Sequence, residues 1–207
     1  MKKRLLFTVL LISTVTFAQT NYEKGMQNAF ALWQENQTDA AENMFERISN
    51  AELDNWLPHY YIAQINSLKS WNETDAEILK AQLGKAQQHL DLAFAMSKDN
   101  PELLVLQAQV FTNWVAFDGM TYGRKYSGKI TELYQKASQL APRNPRVVLS
   151  YAEWQIGSAK FFGKDTTPYC KDVKKAIELF ANFKPESEFA PNWGKGHAED
   201  VLKGCDN

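Results

Sequence analysis

Apolar side chains recur along this chain as one column written four times. Ala41, Phe45, Ile48 and Ala51 form it first, then Ala86, Leu90, Ala93 and Met96, then Ile130, Tyr134, Ala137 and Leu140, then Val173, Ile177, Phe180 and Phe183. Positions i, i+4, i+7 and i+10 share one face of a helix, so each column predicts a helix with one buried side. Successive columns are 45, 44 and 43 residues apart. Ahead of each lies a second apolar segment. Met26, Ala29, Phe30 and Trp33 mark the first, and Tyr61, Ile62, Ile65 and Leu68 the second. The segment from Pro101 to Phe117 is apolar on most sides, as a helix held between neighbours should be. The pattern predicts an all-α chain of four helical hairpins.

Turn residues supply the boundaries. Thr38-Asp39 reads as the cap of the second helix, Pro58 as the start of the third, and Thr74 with Glu77 as a capping box. Asn100-Pro101 and Asn144-Pro145 open two further helices, because proline suits a first helical position and spoils an interior. Asp118–Ser127 and Ala159–Thr167 read as long insertions between the two helices of their own hairpins. Pro168 starts the eighth helix, and a turn rich in Pro and Asn leads to a last short helix near His197–Gly204.

The corners A-F-A-M-S-K-D-N-P-E and A-S-Q-L-A-P-R-N-P-R resemble the junction between tetratricopeptide repeats (TPR), with Pro142 and Pro185 at that family's terminal proline position. The resemblance implies a TPR-like α-solenoid with repeats near 22–51, 56–98, 101–142 and 145–185 and a capping segment at 186–207. The period exceeds the TPR length of about 34 and falls in the HEAT or armadillo range, so HEAT-like pairs remain the alternative. The resemblance further implies a groove lined by the first helix of each repeat. Residue by residue this gives Met26, Phe30 and Trp33, then Tyr60 and Gln64, then Val105, Gln109 and Asn113, then Leu149 and Glu153.

Composition adds an address. Met1-Lys-Lys-Arg, the apolar run Leu5–Ile12 and Ala18 before Gln19 make a signal peptide, residues 1–18, leaving a single domain at 19–207. The apolar stretch is shorter than the roughly 20 residues that span a bilayer. The expectation is an exported, soluble chain, periplasmic or secreted, with no membrane anchor after cleavage. Three of the 23 basic residues leave with the leader, so 24 acidic residues dominate and nucleic acid is not an expected partner. Cys170 and Cys205 are the only cysteines. They sit at the start of the eighth helix and the end of the ninth, at matched distances from the intervening turn. Antiparallel packing of those helices predicts a disulfide between them.

Candidate chemistry is sparse. His59, His89 and His197 show no metal-ligand spacing, and no nucleophile elbow or phosphate loop occurs, so neither a cofactor, a metal nor catalysis is expected. The two insertions bring Tyr122, Arg124, Lys125 and Tyr126 toward Phe161, Phe162 and Lys164 if equivalent loops share one edge of the array. The expected role is non-catalytic binding of a protein or peptide in the cell envelope, at the groove or at this edge. The alternative is a small-ligand or solute-binding protein with an apolar cavity between its helix layers.

Overall fold

The protein is described by a computed structural model over residues 21–205, and its regular structure there is entirely helical. The predicted leader lies outside the described residues. Helix α1 (residues 21–34) is followed by α2 (Thr38–Ala51), α3 (Trp56–Lys69) and α4 (Ala76–Met96). Then come α5 (Pro101–Phe117), α6 (Gly119–Leu140), α7 (Pro145–Phe161), α8 (Thr167–Asn182) and α9 (Lys195–Lys203).

Short polar side chains start most of these helices. Asn55, Asp75, Asn100, Asp118 and Asn144 each accept a hydrogen bond from a backbone N–H two residues on, filling one of the donors a helix start leaves free. These caps correct several expected boundaries. Helix α3 begins at Trp56 under Asn55 rather than at Pro58, and Asp75 rather than Thr74 caps α4. Thr38 lies inside the first turn of α2, which has no side-chain cap, and α8 begins at Thr167 rather than Pro168, also without one. The largest correction concerns Asp118–Ser127. It is no loop: Asp118 alone turns the chain, its carboxylate accepting from the N–H groups of Met120 and Thr121, and α6 starts at Gly119. Glycines 119, 123 and 128 all take ordinary helical backbone angles.

Helices α3 and α4, α5 and α6, and α7 and α8 pack as antiparallel hairpins, and α3, α5 and α7 also touch in succession. This packing of adjacent pairs is consistent with a helical repeat. Small column residues allow the close approach: Ala41, Ala86, Ala93 and Ala137 are all fully buried. Two contacts fix the direction of the stack. The Glu102 carboxylate at the start of α5 accepts from Arg146 at the start of α7, Nε to Oε2 at 2.8 Å. At the other end, Asn113 of α5 donates to Ser67 O at 2.7 Å and Ser70 Oγ at 2.8 Å, at the end of α3. The three first helices therefore run parallel, with all their hairpin turns along one edge.

The last segment has two destinations. Val201 and Leu202 of α9 pack on α7 and α8, and Cys170 is bonded to Cys205 with Cα atoms 5.9 Å apart. Between α8 and α9, however, residues 183–194 run as a strap back to the beginning of the chain. Phe189 is buried in the core of the first two hairpins, 5.6 Å from the Tyr22 ring and 6.1 Å from that of Phe30. Gly194 lets the strap re-enter α9. Its φ is 109°, and a Cβ there would lie 2.9 Å from Phe180 Cζ, so only glycine fits.

Candidate functional site

The edge of hairpin turns concentrates exposed apolar surface. Of the nine large hydrophobic residues exposed among those described, six lie there: Leu68, Trp71, Ile78, Met120, Phe161 and Phe162. Phe161 and Phe162 are 70% and 65% exposed, their rings edge to face at 5.1 Å, and Met120 is 88% exposed. The start of α6 adjoins the end of α7, since a Cβ on Gly119 would lie 3.9 Å from the Phe161 ring. Open apolar side chains gathered in one place have no folding reason to be there and mark contact surfaces.

Behind them stands a stack of rings on the first turns of α6. Tyr122 lies 4.8 Å from Trp114 and 6.1 Å from Tyr126, and Tyr126 lies 4.6 Å from Phe111. Because this stretch is helical, its residues divide by face. Tyr122 and Tyr126, four apart, pack inward on α5 and are half-buried, while Arg124 and Lys125 stay exposed. Lys125 Nζ sits 4.7 Å from the Tyr126 ring, and Lys164 Nζ 5.9 Å from that of Phe162. The edge is thus an apolar step with cations beside it.

The first-helix groove residues have a different fate. Phe30 and Trp33 lie within the aromatic cluster around Phe45 and Tyr61, and Met26, Val105 and Leu149 are core. Tyr60 is wholly buried beneath the strap, its hydroxyl accepting from the Trp193 indole N–H at 2.9 Å. Gln64 is buried with its side-chain oxygen unpartnered, as is Oδ1 of Asn113. Gln109 is half-buried on α5. Glu153 pairs with His197 at 2.6 Å, and that bond raises the histidine pKa. The strap covers the starts of α3 and α7, the end of each helix opposite the aromatic edge.

Two polar clusters escape the sequence pattern. Glu42 is buried, which by itself would raise its pKa, but Lys69, Lys85 and Asn66 hold it at about 2. Lys69 Nζ bridges Glu42 and Asp39, each at 2.6 Å, and Lys85 pairs with both Glu42 and Glu46. The second cluster is a histidine pair: Nδ1 of His59 lies 2.8 Å from Nδ1 of His89. The ring centroids are 5.1 Å apart, the separation of two rings meeting nose to nose. One ring therefore carries hydrogen on Nδ1 and donates it to the Nδ1 lone pair of the other, so the two nitrogens occupy each other. Among the described residues no group of three or more His, Cys, Asp or Glu could hold a metal, and no helix is long and apolar enough to cross a membrane.

No family model matches the chain, and no curated protein does. Among solved structures it is similar to the HusA haemophore from Porphyromonas gingivalis, at 19% identity over 89% of this chain and 92% of that one. The TM-score is 0.78, so what the two proteins share is a fold.

Proposed function

We propose that this chain is an exported, non-catalytic binding protein with a TPR-like helical framework, and that its aromatic edge captures a flat amphipathic ligand of the haem class. The observation that carries this reading is the exposed pair Phe161 and Phe162 beside Met120. A planar macrocycle buries both its faces on such side chains, while its carboxylates suit Arg124, Lys125 and Lys164 nearby. The ligand class comes from the haemophore of similar fold. The edge needs no enclosed cavity; open surface hollows lie at Ala51–Trp56 and around Glu42. A protein or peptide partner docking on the same edge is the second reading, favoured by how far the exposed apolar residues extend, from Phe162 to Trp71.

The test is an absorbance titration of the mature chain, beginning at Gln19, with haemin and with metal-free protoporphyrin. Phe161→Ala with Phe162→Ala should weaken binding tenfold or more. Burying one such ring contributes about 1.5–3 kcal/mol, and about 1.4 kcal/mol is a factor of ten. The melting temperature should barely move, since both rings are exposed. Unchanged affinity in the double variant would remove the edge from the reading, and no binding of either compound would remove the ligand class.

A further inference from the structure

The face made by the starts of α3 and α7, opposite the aromatic edge, is covered by the chain itself. Residues 183–194 have no regular structure, yet they are held by side-chain contacts of the kind a bound peptide makes. The Phe189 carbonyl accepts from the Tyr61 hydroxyl at 2.6 Å, and its ring enters the aromatic cluster. Four residues on, Trp193 donates to Tyr60. The Arg146 guanidinium lies 4.5 Å from the Phe183 ring and 5.9 Å from that of Trp193, within cation–π range of both. Burial keeps the Tyr60 and Tyr61 hydroxyls protonated, so both remain available as hydrogen-bonding groups.

The strap fits this face imperfectly. Arg146, which the strap rings cover, is 1% exposed, yet its Nη1 has no hydrogen-bond partner. Buried polar atoms are normally paired, and an unpaired one penalises the arrangement that leaves it so. The anchors are side chains of α1 and of the starts of α3 and α7, not a continuous helical seam.

We propose that this face is a second binding site, for an extended peptide segment bearing two aromatic side chains four residues apart, and that residues 183–194 are its resident occupant. A tethered occupant competes at an effective concentration of about millimolar. An outside segment therefore gains access mainly when the strap is weakened. The site is separate from the aromatic edge, and its failure would leave the haemin titration untouched.

The experiment uses a fluorescein-labelled peptide of residues 183–194, titrated by anisotropy against the full mature chain and against Trp193→Ala. The variant should bind the peptide at least tenfold more tightly than the native chain does. A folded variant binding no better than native would overturn the proposal. Should that variant prove unfolded by circular dichroism, hydrogen exchange in the native chain decides. Exchange of the Trp193 indole N–H, which donates to Tyr60, faster than that of the α8 and α9 amides supports a displaceable strap, and protection equal to those helices overturns it.

Discussion

Arg146 is the bulkiest side chain with almost no solvent contact among the described residues, and its surroundings explain how a charge is kept there. Its Nε and Nη2 fork onto the Glu102 carboxylate, Asn144 donates to the same carboxylate at 2.6 Å, and rings of the strap close over the outer face. Removing one partner strands the other, so Arg146→Ala should destabilise the fold by about 3–5 kcal/mol, read as a shift in the urea midpoint. Replacing both, Arg146→Met with Glu102→Leu, should recover much of that loss; a double variant as weak as the single one would refute the stranded-charge account. Sequence showed half of this site. The Asn-Pro corners place Glu102 and Arg146 at equivalent positions of successive helix starts. Nothing in spacing shows that those positions touch, because the contact spans 44 residues and depends on how the hairpins stack. The histidine pair is hidden for the same reason, its members being 30 residues apart on the two arms of one hairpin.

Individual helices were legible where a cap and an apolar column agreed, as at Asn100-Pro101 with Leu103 to Phe117. Helix α6 was misread at its start because three glycines in ten residues look like a loop, whereas one Asp118 cap was enough to set a helix going. The disulfide was readable because the chain has only two cysteines and its last two helices had one sensible packing. It closes a loop of 35 residues, for which the chain-entropy model gives about 3–4 kcal/mol. Cys170→Ala with Cys205→Ala should lower the unfolding free energy by about that amount and increase amide exchange first in α9. A loss spread evenly over all helices would mean that the bond does not act by holding α9 on α8.

For the molecule as a whole, acid is the expected weakness. Burial lowers the pKa of both His59 and His89; for His89 the neighbouring His59 and Lys85 add to this, against Glu46 and Glu42, and the value falls to about 4. A histidine whose folded pKa is depressed contributes stability that is complete above the ordinary value near 6.5. It is lost as pH falls toward the folded value, since the unfolded chain takes up the proton first. Glu42 works in the same sense lower down, between its usual 4.5 and about 2. His197, raised by Glu153, acts in the opposite direction but is exposed, so its weight is small. The urea midpoint should therefore fall between pH 6.5 and 4, and His89→Gln should flatten that slope. Parallel curves for the two proteins would show that the pair is not the cause.

Stacked hairpins usually depend only on their neighbours, so an array can be assembled from one end. Here the hydrogen bonds from Gln27 to Glu188 and from Tyr61 to Phe189 join residues 161 and 128 positions apart. The first hairpins consequently wait for the segment around Phe189 before their core is complete. Until Phe189 has docked, the pocket among Tyr22, Phe30 and Tyr61 stays open, and the arrival of that distant segment rather than local helix formation sets when the molecule closes.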